Sequence, residues 1–435
     1  MHYKREHVLS LSPLVSPLVS HHHPNYYYNS TSTMAIGRRF SPGWLPQHLE
    51  LLARDDPNMK KLRLSLPKVE RDFLRAYVRS LRDHKYLEEL WLDGDSIEID
   101  IALSLASSLR VNKKLRILRL RNCTLSGNGA SVIFDAIKEN TTLQELYLER
   151  NEICDYSIKS ICAMLRCNTT LKVIHINDNP IGCLGAQKLF EALRQNTGLE
   201  ELCLQKAIFG PGCADSLGRM VLRNKTLKRL QLVHTKLQSS DICRLAKYLE
   251  QNKTLDQVVI AGSRINKHAA TAIAGLLKRT KTLRRFCLWG NHLKCEGAKA
   301  IAEGIMENTS LRELRMMMNH IGNDGVQALV KSLVHHPLLH EVDLAGNQIK
   351  ESGGKALSEC LEQNDRIEAM GLHGNQLGKY KEEISQWLRV NKAGRRLIKE
   401  PNMPMDSFIE TLLKVQDEID LTFLLLCERP DMMKM

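Results

Sequence analysis

The stretch "NTTLQELYLERNEI" at residues 140–153 decides how this chain folds. Leu143, Leu146 and Leu148 read as a short strand that stops at Asn151, with Ile153 just beyond. The stretch is one copy of many. Steps of 28 residues carry Leu143 back to Leu115 and Leu87, and forward through Leu171, Leu199, Leu227, Leu255, Leu283, Leu311 and Leu339 to Ile367. With Met59 one step earlier, the array holds about twelve copies.

A second register accompanies the first. Ile161 and Leu165 follow Leu143, and the same pair recurs as Leu189 and Leu193, Leu245 and Leu249, Ile273 and Leu277, and Leu329 and Leu333. An i, i+4 spacing marks one face of a helix. Ala130, Ala186, Ala214, Ala270 and Ala298 extend that face with a small side chain. Each unit therefore predicts a strand, a turn and a helix of about three turns. One unit cannot bury its own apolar face, so units must stack into a shared core. Each would bury about six apolar side chains at roughly 1.5–3 kcal/mol gross apiece. Parallel strands would line the inner wall of an arc, and helices the outer wall.

The asparagine then has a reason. Buried turning backbone needs both donors and acceptors, and a side-chain amide supplies both. Asn151, Asn179, Asn291, Asn319, Asn347 and Asn375 hold this place, while Asp95, Cys123, Thr235 and Ser263 substitute. Ala207 cannot, which predicts a locally weaker sixth copy. A second asparagine opens the helix-to-strand turn, at Asn112, Asn140, Asn168, Asn196, Asn224, Asn252, Asn308 and Asn364.

"NTTLQELYLERNEI" with the following "CDYSIKSICAMLRC", and "NTSLRELRMMMNHIGNDGVQALVKSLVHH" at 308–336, resemble the ribonuclease-inhibitor-like leucine-rich repeat. That repeat type also builds the repeat domains of NOD-like receptors and of Ran GTPase-activating protein. The resemblance implies an α/β leucine-rich-repeat solenoid, a horseshoe with parallel strands on the concave face and helices on the convex face. It does not by itself imply a function, since such scaffolds bind many unrelated partners.

The expected organisation is a low-complexity tail at 1–33, an N-terminal cap at 34–58, the repeat array at 59–394 and a C-terminal helical cap at 395–435. The last unit leaves the register, with Ile384, Leu388 and Asn391 each one residue early. Twelve cysteines form no CxxC pair, so reduced cysteines and a cytoplasmic, or nuclear, location are expected. No apolar run approaches the ~18 residues of a membrane span.

No catalytic constellation emerges. GxxxxGK[ST], HExxH and GxSxG are absent, so the chain is read as a non-enzyme without cofactor or metal. "HHPLLHEVD" at 335–343 gathers histidines and acids and is read as solvated surface. A Ran-type GTPase activator is an alternative, since arginines are plentiful and such chemistry needs a cation at the phosphate. The constant period and the balanced charge of residues 379–435 speak against it.

Charge points to a partner instead. Residues 215–289 hold 16 Lys or Arg against 4 Asp or Glu, and the whole chain is only +13. Much of the excess falls where helices end and strands begin, so stacking would gather it on one rim. Beside that rim, outward strand positions are apolar: Val233, Ala261, Trp289 and Met317, with Val259 and Cys287 two residues earlier in their copies. Trp and Arg on a concave face are typical anchors. The candidate partner-binding residues are Arg229, Val233, Val259, Arg285, Trp289, Arg315 and Met317. The expected partner is an acidic protein bound by a monomer. An anionic membrane or nucleic-acid surface on the basic rim is the third reading.

Overall fold

The computed structural model describes residues 55, 57–65, 71–94, 96–125, 127–400 and 403–429. All lie within the larger of two units, residues 38–435. The expected tail at 1–33, nearly all of the expected cap at 34–58, and Asp95 fall outside the described residues.

Twelve strands pair in strict sequence order, all parallel, in one sheet. They are β1 (Lys61–Ser65), β2 (Glu89–Asp93), β3 (Ile117–Arg121), β4 (Glu145–Tyr147), β5 (Val173–His175) and β6 (Glu201–Gln205). Then follow β7 (Arg229–Val233), β8 (Gln257–Ala261), β9 (Arg285–Cys287), β10 (Glu313–Arg315), β11 (Glu341–Asp343) and β12 (Ala369–Gly371). A helix separates each strand from the next. Partners are offset by one repeat, as in Leu118↔Leu146 and Leu146↔Ile174. The inward leucines and the inner helix faces form one continuous core from Leu62 to Ile384.

Both asparagine columns do what turning backbone requires. In the helix-to-strand turn, Asn140 Nδ2 donates to Leu109 O at 2.6 Å, while its Oδ1 accepts from Thr142 N and Leu143 N at 2.9 and 2.7 Å. At the strand end, Asn151 Nδ2 donates to Leu120 O in the preceding repeat and to Glu149 O in its own. Its own N–H donates to Oδ1 of Asn179 in the next repeat.

Strand length follows the second column. The strands followed by Asn151, Asn179, Asn291, Asn319, Asn347 and Asn375 have three residues each. The others have five. The amide takes a carbonyl of its own repeat and one of the preceding repeat, which ends the two-way strand pairing two residues sooner. N–H groups past the strand still donate to the next repeat, as Leu148 N does to His175 O and Arg150 N to Asn177 O. Where Cys123, Ala207, Thr235 or Ser263 stands there, pairing with a neighbour that also lacks the amide runs on, as in Leu204↔Leu232 and Gln205↔Val233.

One junction has neither device. β5 pairs with β6 only from Val173 to His175, and the repeat of β6 carries Ala207 instead of an asparagine. Among the described residues, every other strand junction has either the five-residue ladder or the amide.

Turn geometry adds a feature that leucine spacing does not reveal. Both neighbours of the strand-end position adopt left-handed backbone in repeat after repeat. On the near side these include Arg150, Lys206, His234, Gly262, Gly290 and Met318, and on the far side Glu152, Lys236, Arg264, His292 and His320. Glycine is absent from many of these sites, so packing on both sides must hold an intrinsically unfavourable conformation.

Past β12 the helix Tyr380–Ala393 is followed by Arg395–Ile398, Met405–Leu413 and Ile419–Cys427. Val390, Ala393, Ile398, Met403, Phe408, Val415, Leu421 and Leu425 form a separate core. Arg395 ties these helices to the array. It is 4% exposed, donates to Leu361 O and Glu362 O at 3.1 and 2.7 Å, and pairs with Glu428 at 2.5 Å. Asn391 keeps the donor half of its turn role, reaching Asn364 O and Ile367 O. Among the described residues no strand follows it, and its Oδ1 has no hydrogen-bond partner there.

Candidate recognition surface

Side chains alternate along each strand, so those not in the core stand on the opposite face. The chemistry of that face changes along the array. Near β1–β5 it is a cation–aromatic stack. Arg63 lies 4.8 Å from the Trp91 ring, and Arg119 lies between Trp91 at 4.5 Å and Tyr147 at 3.7 Å. Tyr147 meets His175 edge-on at 4.7 Å. His175 Nε2 contacts Glu201 Oε1 at 2.9 Å, and Glu201 also receives Arg229 and Gln231. Burial would raise the Glu201 carboxyl, but hydrogen bonds from His175 and Arg229 outweigh it and hold the group below its usual range. Glu149, buried with weaker help, is pushed up.

In the centre the face turns apolar. Val233, Val259, Ala261 and Cys287 form a cluster of their own, distinct from the repeat core, and Trp289 packs against it. Register brings them together: Val233 pairs with Ala261, and Val259 with Cys287. Gly262 N donates to Trp289 O at 3.2 Å, which fixes the tryptophan backbone. His234 meets the Trp289 ring edge-on at 5.4 Å. Gly262 makes room for this contact. Its φ is +62°, and a Cβ there would fall 2.0 Å from His234 Nδ1. Burial pushes the Cys287 thiol up to about 11.

Of the seven candidates, Val233, Val259 and Trp289 are thus brought into one cluster. Val233 and Val259 are only 8% and 5% exposed and form its floor. Trp289 and Met317 were expected on strands. They lie just past β9 and β10, because Asn291 and Asn319 end those strands early. Gly290 N donates to Met317 O, placing the two side by side in consecutive turns. The three arginines have internal acids. Arg229 is bound to Glu201, and Arg315 is held by Glu341 at 2.6 and 3.0 Å. Arg285 is the least engaged, with Asp256 at 3.9 Å and Glu313 at 4.0 Å.

The basic rim lies at the other ends of the strands. Lys228 pairs with Glu200, Lys278 with Glu307 and Arg279 with Glu250, and Lys281 reaches Thr309. Arg223, Lys225, Lys253 and Arg284 are exposed and form no ion pair with a described residue.

"HHPLLHEVD" reads differently in three dimensions. His336 is 3% exposed and stands where other repeats carry the turn asparagine. Its Nδ1 accepts from Leu338 N and Leu339 N at 3.3 and 3.0 Å. Burial holds it down at about 4, so the ring is neutral. The segment is therefore partly a structural turn rather than solvated surface. Its place on the 28-residue grid, where Asn308 and Asn364 flank it, was the available signal.

The sequence model described as Leucine Rich repeat matches residues 111–134, 167–190, 307–330 and 335–358. No curated protein matches the chain. Among solved structures, Leiomodin-1 Actin-Binding Site 2 (ABS2) is 20% identical with a TM-score of 0.31, over 42% of this chain and 91% of that one. The structure of the Rad7 and Elc1 complex in yeast is 17% identical with a TM-score of 0.53, over 77% of this chain and 81% of the other. Ordered parallel strands, interleaved helices and the matched repeats together define the fold as a leucine-rich-repeat solenoid.

Proposed function

We propose that this chain is a non-enzymatic recognition scaffold, of the ribonuclease-inhibitor-like subtype, that binds an acidic protein on its strand face. The observation that carries the reading is the apolar cluster roofed by Trp289, set apart from the repeat core. A tryptophan on an apolar floor is the kind of group that dominates interface energetics. The unpaired Arg223, Lys225, Lys253 and Arg284 would steer a partner of opposite charge. Trp289, Met317 and Arg285 would make the direct contacts, and Arg229 and Arg315 would exchange internal acids for the partner's. Cytoplasm or nucleus is the proposed setting.

The test is capture from source-cell lysate by the wild type and by a Trp289→Ala, Arg285→Glu double variant of unchanged circular dichroism. A protein held by the wild type and lost, by roughly 1,000-fold in affinity, from the variant supports the reading, since two anchors of about 2 kcal/mol each sum to about 4 kcal/mol. Equal capture removes this surface from consideration. The basic rim supports a second reading, binding to a phosphate-rich surface. Salt separates the two: phosphate contacts weaken steeply as salt rises, and a Trp-anchored interface only mildly.

A further inference from the structure

Cys183 opens the helix Cys183–Leu193, and Cys213 opens the helix Cys213–Arg223 one repeat later. Their sulfurs approach to 3.1 Å. Cys213 is fully buried, while Cys183 is partly exposed. The contact is reinforced from both sides. Cys213 Sγ also lies 3.4 Å from Cys183 O, and Gln187 Nε2 donates to Cys183 Sγ at 3.5 Å and to Pro211 O at 3.2 Å. Sulfur movement of about 1 Å would reach the ~2.05 Å length of a disulfide. No other sulfur–sulfur contact occurs among the described residues.

The pair spans one particular place in the array. It bridges the repeats of β5 and β6, the junction that has neither the five-residue ladder nor the strand-end amide. A covalent link there would add to a junction now held by one-way backbone bonds, such as Ile176 N to Cys203 O and Ile208 N to Ile181 O, and by the His175–Glu201 and Asp178–Lys206 contacts.

We propose that Cys183 and Cys213 form a reversible oxidative modification site, in which a peroxide converts the pair to a disulfide that clamps the β5–β6 junction. The accessible Cys183 thiol attacks the peroxide, giving a sulfenic acid and one molecule of water. The Cys213 sulfur then attacks the Cys183 sulfur, the S–O bond breaks, and a second water leaves. Two thiols are oxidised by two electrons and the peroxide is reduced. Burial pushes the Cys213 thiol up to about 12, which keeps it from meeting oxidant first. Contact with Cys183 then offsets its weak acidity, because a group held in place reacts as though highly concentrated. A dithiol reductant reverses the change by exchange.

The experiment uses the full chain, reduced and then treated with a small molar excess of hydrogen peroxide. Digestion without reductant and mass spectrometry identify cross-linked peptides. The expected result is a Cys183–Cys213 link, two hydrogens lighter than the separate peptides, in clear excess over every other pairing. Oxidised protein should melt several degrees higher than reduced protein, and amide exchange should slow in β5 and β6. Dithiothreitol should reverse all three. In Cys213→Ala, Cys183 should instead accumulate as a dimedone-trapped sulfenic acid. The proposal falls if Cys183 proceeds to sulfinic acid in the wild type without a link to Cys213, if Cys183 stays a thiol while other cysteines oxidise, or if the link forms but leaves melting and exchange unchanged.

Discussion

A single side chain can be read in this protein by its place on a 28-residue grid, and His336 shows how. It fills an asparagine's position with an imidazole that accepts two backbone N–H groups. An asparagine amide does this at any pH, whereas a histidine does so only while neutral. The folded-state value of about 4 lies below the unfolded 6.5. As pH falls below 6.5, the unfolded chain takes up this proton first. The stability that His336 contributes is therefore complete above pH 6.5 and is lost progressively down to pH 4. His336→Asn should keep stability near neutrality and flatten the dependence across that window, as read by melting temperature against pH. His336→Ala should cost about 1–3 kcal/mol at pH 7, because two buried donors lose their acceptor. Composition alone would have left this histidine on the surface; only the register of Asn308 and Asn364 reveals it. At the same scale, Gly262→Ala should displace His234 from Trp289 and destabilise the fold by at least about 1 kcal/mol, from its left-handed backbone and the filled space. Denaturant unfolding measures the loss, and tryptophan fluorescence the displacement.

At the level of the element, the leucine spacing makes strands and helices legible, but not strand length. Trp289 and Met317 look like strand residues from their distance to Leu283 and Leu311. Asn291 and Asn319 take the return hydrogen bonds there, so the two-way pairing stops short of both residues although their carbonyls still accept from the preceding repeat. The amide was visible in the sequence as a turn residue. Its competition with the backbone ladder was not, because that depends on which carbonyls lie within reach after stacking. Ala207→Asn tests the point. It should give the β5–β6 junction its missing amide, raise stability by about 1 kcal/mol, and slow amide exchange in β5. No gain in melting temperature would show that the β6 repeat has already compensated. Beyond β12, Arg395→Ala should cost about 2–4 kcal/mol, because it leaves two helix-end carbonyls without their donor and Glu428 with Lys399 alone. Chemical denaturation would measure it, with the loss concentrated in the helices after residue 395.

For the whole array, each repeat touches mainly its neighbours, so stability is close to a sum of repeat and junction contributions. A core cavity anywhere should cost about 2–5 kcal/mol, but its effect on cooperativity should depend on place. Ile174 and Leu202 are register partners across the junction that lacks the strand-end amide. Leu202→Ala should let the array open in two steps, with strands β1–β5 and β7–β12 exchanging at different rates. Leu314→Ala, inside the unbroken asparagine run, should leave one transition. Hydrogen exchange read by mass spectrometry distinguishes the two. The order of strands along the sheet was fully legible from periodicity. The candidate surface was legible as an apolar column. That its valines are floor and its arginines already hold acids depended on side-chain packing that no spacing reports.

The alternation of strand lengths also sets how far two-way backbone pairing stiffens the face. Two extra paired residues add about 6–7 Å to a strand at ~3.3 Å each. Between β6, β7 and β8 the two-way pairing therefore runs farther along the face than it does between their neighbours, ending at the Trp289 cluster. The outline of this stiffer stretch is drawn by where asparagine was omitted. Exchanging one amide for a threonine, or the reverse, would lengthen or shorten the two-way pairing while leaving the outward side chains of the strands in place.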